Sequence, residues 1–282
     1  MPNRSIKRIF ILLVVVIVAG SSFFLYWQTK NKIEPSCFDN IQNQNETGVD
    51  CGGSCVSCQG KPESLQMEPA ILIPSENNRF DVAFKITNPN TNFGASAIEY
   101  SVEIFAVDGT KLSSRFDTTF ILPAGLRTGN TSQKWIIEHG LKGEPGAEVK
   151  IVFKNITWEA IKDNFDAPRL VILDRVYTVL VNSPEFAEAK GVLKNDSPYN
   201  FDMIEMQVLL FGEDDELLAV RRTETRTLRA DESREFRVSW RTPLEKVSRV
   251  EMNAYTNVFL NENFINNYGT RERFQELNPV IR

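Results

Sequence analysis

Histidine is nearly absent from the sequence, and there is no excess of basic residues. Imidazole is the commonest general base and metal ligand near neutral pH, so the single histidine, His139, leaves little room for hydrolytic or metal chemistry. A net charge of −5 at pH 7 excludes a general nucleic-acid binder, which needs a basic surface to displace counterions from phosphates. His139 lies in the glycine-containing stretch EHGLKGEPG, which predicts a solvent-exposed turn residue.

The sequence also lacks the motifs that usually carry catalysis. It has no glycine-rich phosphate loop, paired-histidine helix, nucleophile elbow or dinucleotide fingerprint. The stretch CGGSC contains glycines but no lysine, and it follows no predicted strand. We therefore expect a protein that is not an enzyme, with no catalytic residues and no organic cofactor.

One long apolar run is present, IFILLVVVIVAGSSFFLYW at residues 9–27. It contains no charge and is long enough to cross a hydrocarbon layer of roughly 30 Å as a helix. Three basic residues precede the run and two follow it closely, which favours a cytoplasmic N-terminus at residues 1–8. The alternative is a cleaved signal peptide, because residues 19–21 are small. The apolar run continues beyond that point, so we favour an uncleaved anchor.

Cysteine occurs only in the segment that follows this run. Few apolar residues accompany the cysteines, so a crosslink or an ion must hold this segment if it is ordered. Two disulfides are the leading interpretation, since a segment just beyond a signal anchor enters an oxidising space. A four-cysteine zinc site and a redox pair at CVSC are the alternatives. The residues concerned are Cys37, Cys51, Cys55 and Cys58.

Hard oxygen ligands lie among these cysteines, with glycines that permit tight turns. Such ligands suit calcium, which takes six to eight oxygens. The other interpretation is a polar spacer whose Asx side chains bond their own backbone. The candidate calcium ligands are Asp39, Asn43, Asn45, Glu46 and Asp50.

The stretch from Cys37 to Cys58 resembles a short module, C-x-D-x-x-x-N-x-x-E-T-G-V-D-C-G-G-x-C-x-x-C, that recurs in exported, surface-displayed multidomain proteins. The resemblance implies export and no particular activity.

Beyond Pro62 the sequence changes to short alternating apolar runs separated by turn residues, the signature of antiparallel β-structure. In RFDVAFKITNPN the apolar residues recur at every second position. The pattern predicts that one face of this strand is buried and the other solvated. The predicted buried residues are Phe80, Val82, Phe84 and Ile86, and those between them are Asp81, Ala83, Lys85 and Thr87.

The chain contains an internal repeat. IEYSVEIFAVDGTKL at Ile98 matches IEMQVLLFGEDDELL at Ile204, about 106 residues later, and KITNPN matches VLKNDS at a similar offset. We therefore predict an all-β fold with two tandem immunoglobulin-like β-sandwiches, at 63–160 and 165–262. They follow one transmembrane helix and a disulfide-rich module at 28–62.

Four positions on the matching central strands are predicted to point into the two cores, namely Val102, Ile104, Val208 and Leu210. The first copy, with its Asn-Pro-Asn turn at 88–90, resembles the late-embryogenesis-abundant type 2, or water-stress, β-sandwich family. The second copy is similar to the bacterial FxLYD-type family, with Leu-Phe-Gly at 210–212 in place of Leu-Tyr-Asp. Both resemblances imply a fold and no catalytic set.

The tail, residues 263–282, is predicted to be a last strand followed by a frayed end. The alternative is a docking strip formed by aromatic residues, namely Phe259, Phe264, Tyr268 and Phe274.

The expected function is a structural or interaction role in the cell envelope, with the membrane contacted through residues 9–27 and other envelope proteins as partners. Calcium or polysaccharide binding at a surface module is the second expectation, and a secreted form with a cleaved signal peptide is the third.

The disulfide interpretation predicts the thiol count. In protein collected from an exporting cell, mass spectrometry after alkylation should find no reactive thiol before reduction and four after it. The same chain made in a reducing cytosol is the control. Four alkylated thiols before reduction in the exported protein would contradict the interpretation.

Overall fold

The computed structural model describes residues 62–124, 132–162, 165–244 and 246–277, with the short stretches 13–14, 20–21, 41–43 and 45–46. The predicted membrane segment 9–27 and the cysteine module therefore lie almost entirely outside the described residues, and so do all four cysteines. The described parts of the first segment, 13–14 and 20–21, are helical. Within the described residues, no helix has both the length and the apolar character that a bilayer crossing requires.

The prediction of an all-β fold is confirmed. Antiparallel strands make up most of residues 66–277, with a helical turn at Glu76–Asn78, another at Val258–Leu260 and one short helix, α1 (Glu262–Tyr268). The strands are β1 (Gln66–Met67), β2 (Ile71–Pro74), β3 (Phe80–Thr87), β4 (Phe93–Phe105), β5 (Lys111–Ile121), β6 (Gln133–Leu141), β7 (Glu148–Ile161), β8 (Leu170–Val179), β9 (Ala187–Asn195), β10 (Phe201–Phe211), β11 (Leu217–Leu228), β12 (Ser233–Trp240), β13 (Arg249–Tyr255) and β14 (Gly269–Leu277).

The strands form two sandwich-like halves that share a pairing pattern. In the N-terminal half β3 pairs with β1 and β2 on one side and β6 on the other, and the second sheet has the order β14-β7-β4-β5. In the C-terminal half the sheets have the orders β12-β9-β8 and β11-β10-β13. Strands β2, β3 and β6 thus correspond to β8, β9 and β12, and β5, β4 and β7 correspond to β11, β10 and β13.

Each half has an apolar core between its two sheets. Val102 and Ile104 on β4, and Val208 and Leu210 on β10, are fully buried, as predicted. In the N-terminal half the ring of Tyr100 on β4 lies 5.7 Å from that of Phe84 on the facing strand β3. Period-two alternation on the central strands therefore identifies the core side chains correctly.

The predicted solvated face of β3 is in fact largely buried. Asp81 and Ala83 are 3% and 0% exposed, so the alternation prediction is wrong at these positions. The reason is that a second sheet covers this face. A separate apolar cluster joins β2, β3 and β6 to β10 and β11 of the other half, and it consists of Ile73, Ala83, Ile137, Leu209, Phe211 and Val220. The outer faces of two sheets are stacked on each other.

The aromatic residues after β13 are buried against the chain itself. Phe264 is fully buried, and its ring centroid lies 5.5 Å from that of Tyr199. Phe259 packs over Gly94, where a Cβ atom would lie 2.5 Å from the phenylalanine Cζ. Phe259 and Phe264 therefore belong to the protein core, and the alternative of an exposed docking strip is wrong for them. After α1, β14 pairs with β7 of the N-terminal half.

Two asparagines hold equivalent loops of the two halves. Asn88, 1% exposed, donates through Nδ2 to the carbonyl oxygens of Phe93 at 2.7 Å and Leu122 at 3.0 Å. Asn195, fully buried, donates to those of Tyr199 at 2.7 Å and Arg229 at 3.0 Å. In each half the side chain links the loop after one strand to the end of another. The matching blocks KITNPN and VLKNDS thus each provide a buried asparagine that makes equivalent hydrogen bonds to backbone carbonyl oxygens.

Replacing either asparagine with alanine should lower the free energy of unfolding by about 2 to 3 kcal/mol, because buried carbonyl groups lose their donor. Denaturant unfolding of the full chain in detergent measures the change for Asn88→Ala and Asn195→Ala. Asn263→Ala, at an exposed helical position, is the matched control and should stay within about 0.5 kcal/mol. Losses no larger than the control would refute the bridging role.

Candidate site: the charged junction between the stacked sheets

A buried carboxylate lies beside the apolar cluster, on the stacked face of β3. Asp81 Oδ1 accepts the backbone N–H of Gly140 at 3.0 Å. Its Oδ2 lies 3.1 Å from Nδ1 of His139 and 3.2 Å from Nη1 of Arg221. β3 and β6 are neighbours in the N-terminal half, whereas Arg221 belongs to β11. One carboxylate therefore joins strands from both halves.

Arg221 extends this connection in three further directions. Its Nη2 lies 3.1 Å from Oε1 of Glu76, in the turn between β2 and β3. Its Nε donates to the carbonyl oxygen of Ser239 at 3.2 Å, and its guanidinium lies 5.9 Å from the ring centroid of Trp240. Three nitrogens of a planar guanidinium thus have directed partners, an arrangement that the point charge of lysine cannot reproduce.

Asp81 stays ionised in spite of its burial. Burial alone would raise the pKa of the carboxyl group. The hydrogen bond and charge of His139, the N–H of Gly140 and the charge of Arg221 outweigh burial and hold the pKa of Asp81 below its ordinary value. The ionised form is therefore the one that the folded junction stabilises.

His139 does not lie in a turn. It belongs to β6, and its side chain faces Asp81. The prediction of a turn was wrong, because it took the following glycine as a sign of a turn. Gly140 is still within the strand and has a positive φ of 68° there. Within the described residues, no group of three or more His, Cys, Asp or Glu side chains is placed to hold a metal ion.

A second pair of charges lies at the opposite end of β6. Lys134 is 2% exposed, and its Nζ lies 3.1 Å from Oγ1 of Thr119 and 3.4 Å from Oε2 of Glu205 on β10. The same Nζ lies 3.7 Å from the ring centroid of Phe120. Burial lowers the pKa of Lys134, and Glu205 opposes that effect. This buried ammonium also joins the two halves.

Further polar contacts lie between and beside these two pairs. Gln207 on β10 donates through Nε2 to the carbonyl oxygen of Trp135 at 2.7 Å. Inside the N-terminal half, the hydroxyl of Tyr100 donates to Glu138 at 2.6 Å, and burial raises the pKa of both groups. The hydrogen bond of Gln207 joins the two halves, whereas that of Tyr100 holds Glu138 in place within one half. Together with the two charged pairs, the Gln207 contact fixes the register of the stacked sheets.

A groove opens beside the Lys134 end of the junction. It has a volume of about 330 Å³. We call it the β13 groove, because residues 251–256 of β13 and its end form one wall. The other walls come from β3 and β6 of the N-terminal half and from β8. Its lining includes Lys85, Lys134, Trp135, Arg169, Arg175 and Glu251.

The candidate calcium ligands are only partly described. Asp39 and Asp50 lie outside the described residues. In the stretch that is described, Oε2 of Glu46 accepts the backbone N–H of Asn43 at 2.9 Å, and Asn45 has a positive φ of 66°. Glu46 thus closes a turn on itself, and the calcium site stays a prediction.

The fold and the junction define an all-β protein of stacked, sandwich-like sheets. No family model matches the chain, and no curated protein matches it.

Several solved structures show a weak likeness. A red sea bream transglutaminase is 10% identical, with 69% of this chain and 29% of that chain covered and a TM-score of 0.22. A Bacteroides uniformis β-glucuronidase is 13% identical, with 71% and 26% covered and a TM-score of 0.23. A calcium-binding mutant of Bacteroides uniformis β-glucuronidase 2 is 11% identical, with 78% and 32% covered and a TM-score of 0.22. This chain spans less than a third of the length of each, and likeness at this level carries no argument.

The Asp81 junction predicts a specific dependence of stability on pH. Asp81→Asn should lower the free energy of unfolding by about 2 kcal/mol near neutral pH, because Arg221 loses its buried counter-charge. The pKa of Asp81 is lower in the folded state, so its contribution is complete above the ordinary value of 3.8. It is lost as the pH falls through the folded pKa.

Denaturant unfolding of the full chain in detergent, between about pH 3 and pH 7, measures this difference. It should shrink toward the acid end. The control is Glu68→Gln, which removes the carboxylate that pairs with Lys85. Because the Glu68 side chain is largely exposed, this change should alter the free energy of unfolding by less than about 1 kcal/mol. A penalty for Asp81→Asn that does not vary with pH would contradict the assignment.

Proposed function

We propose that the protein is a non-enzymatic, single-pass membrane protein with a structural or protein-interaction role in the cell envelope. Residues 9–27 form its anchor, and residues 1–8 lie in the cytoplasm. The cysteine-rich module at 28–62 is a disulfide-braced stalk. Residues 63–262, as two tandem immunoglobulin-like β-sandwiches, lie outside the cytoplasm.

The observation that carries this proposal is the junction. Sandwiches joined only by a linker rotate freely and present their loops in no fixed relation. Here Asp81, Arg221 and Glu76 form a chain of ion pairs at one end of the stacked faces, and Lys134 with Glu205 forms another at the other end. Two halves held in this way act as one body.

A rigid two-sandwich body suits a role in presentation and contact. Binding residues in such proteins lie on loops and strand edges that a stiff scaffold positions. An apolar run without charges next to a cysteine-rich segment supports placement of that scaffold beyond a membrane. The partners are other proteins of the same envelope.

The membrane topology is the part of the proposal that experiment reaches most directly. Full-length chain with a C-terminal tag should remain in the membrane fraction after an alkaline carbonate wash. A protease that reaches the far side of the membrane should remove the tag from otherwise intact cells, because the C-terminal bulk is exposed there.

A matched variant isolates the role of the apolar run. Val15→Arg together with Val16→Arg places two charges at the centre of the run, which costs roughly 5 to 7 kcal/mol on an insertion scale. This variant should leave the membrane fraction and keep its tag protected inside the cell. A wild-type tag that resists the protease, or a wild-type chain that the carbonate wash releases, would overturn the proposed topology.

A further inference from the structure

Lys134 and Glu205 meet between the two halves, and their contact is a poor ion pair. Nζ of Lys134 lies 3.4 Å from Oε2 of Glu205, whereas an ammonium and a carboxylate usually approach to about 2.7 to 2.9 Å. The two side chains are 2% and 13% exposed. Burial removes both charges from water, and a single contact of this length compensates poorly for that loss.

We propose that Lys134 and Glu205 condense to an amide, which is a covalent cross-link between β6 of the N-terminal half and β10 of the C-terminal half. A C–N bond forms between Nζ and the carboxyl carbon of Glu205, the bond from that carbon to Oε2 breaks, and one water molecule leaves. The reaction takes no oxidant, reductant or second reactant. It makes the pair a self-modification site of the folded chain, a role beyond the interaction function proposed above.

The fold positions the two reacting groups. A contact of 3.4 Å lies within the range of about 3 to 3.5 Å that is typical of groups held ready to react. Gln207, on the same strand as Glu205, fixes the carboxyl group. Its Nε2 donates to Oε1 of Glu205 and to the carbonyl oxygen of Trp135, the residue after Lys134. Positioning of this kind replaces a bimolecular encounter with an intramolecular step.

The surroundings of Lys134 favour the neutral amine, which is the nucleophilic form. The ring centroids of Phe120 and Tyr255 lie 3.7 Å and 5.4 Å from Nζ. Burial is the largest influence on the pKa of Lys134 and lowers it, whereas the charge of Glu205 acts in the opposite direction. Transfer of one proton from the ammonium to the carboxylate gives a neutral amine and a neutral acid, the forms that apolar surroundings favour. The amine then attacks the acid.

The polar neighbours suit both the reaction and its product. Gln207 donates to Oε1 of Glu205, so it stabilises the negative charge that develops on this oxygen during attack. Oε2 departs as water, with its own proton and one from the amine. In the product the amide N–H keeps Oγ1 of Thr119 as its acceptor, which lies 3.1 Å from Nζ of Lys134. The amide carbonyl keeps Gln207 as its donor. Two buried charges are thereby removed, and both polar atoms of the amide stay paired.

Short distance alone does not single out this pair. Nζ of Lys85 lies 3.0 Å from Glu68, and Nζ of Lys111 lies 2.7 Å from Glu103. In these pairs the lysine side chains are 24% and 47% exposed, so water solvates the ammonium and keeps it charged. The two exposed pairs should therefore stay ionic, and they serve as internal controls.

The mass of the intact protein tests the proposal. Purified full chain in detergent, reduced to open any disulfide, should have a main species about 18 Da lighter than its own sequence predicts, which is the mass of one water. Trypsin does not cleave after an acylated lysine, so digestion should release residues 128–142 joined to residues 195–221, the segments that contain Lys134 and Glu205. Fragmentation of this joined species assigns the bond to the two side chains.

A main species of full mass would overturn the proposal. A deficit that maps to a succinimide within one peptide, or to a bond at Lys85 or Lys111, would overturn it as well. These outcomes are read from the wild-type chain, so they do not depend on whether a variant folds.

A pair of lysine variants tests the identity of the nucleophile. Lys134→Arg keeps the positive charge but provides no amine, because a guanidinium is not deprotonated in proteins. This variant should have its full mass and should give no joined species. Lys85→Arg is the matched control on the neighbouring strand β3, and it should lose one water as the wild type does. A mass deficit that persists in Lys134→Arg would refute the assignment.

These measurements do not depend on the membrane topology, because the purified chain is used. A cross-linked chain with an intracellular tag would refute the envelope location and keep the modification site. An exposed tag on a chain of full mass would do the reverse.

Discussion

Asp81 is a carboxylate enclosed between two stacked sheets, and its partners come from both of them. Apolar contact around Ala83 and Leu209 supplies a non-directional attraction, which alone would allow the sheets to slide. The pairs of Asp81 with Arg221 and of Lys134 with Glu205 lie at separate ends of the contact and select one register. Buried charges that must find their partners act mainly as specificity devices, since hydrophobic residues of equal volume often stabilise as much.

The sequence predicts the interior of each half better than the contact between them. Val102, Ile104, Val208 and Leu210 are buried as expected, because alternation reports which residues face the opposite sheet of the same sandwich. Alternation cannot report that another domain covers the outer face. A strand with Asp81 and Ala83 on that face has the pattern of a half-solvated strand, whether or not a second sheet is stacked there.

The charged junction could not be predicted from the sequence, because it also depends on how the outer faces of the two sheets are stacked. His139, Asp81 and Arg221 are far apart in the chain and share no motif, and the pairing of β3 with β6 and the stacking of β11 bring them together. One signal was present in the sequence. The short side chain of Ala83, between Asp81 and Lys85 on a strand with large inward residues, permits close approach of another sheet. The bridging asparagines could be located from the repeat alone, since they occupy matching blocks.

The pairing of β14 with β7 affects how the chain folds. Leu277 lies opposite Asn155 and Gly269 lies opposite Ile161, so the second sheet of the first half is completed by residues synthesised after the entire second half. Contacts between such distant positions carry a large loop-closure entropy and slow the search for the native state. During biosynthesis the edge of β7 stays unpaired until β14 has been synthesised. The nascent chain is therefore open to erroneous strand pairing at the edge of β7. A truncated chain that lacks β14 would keep this edge unpaired after folding.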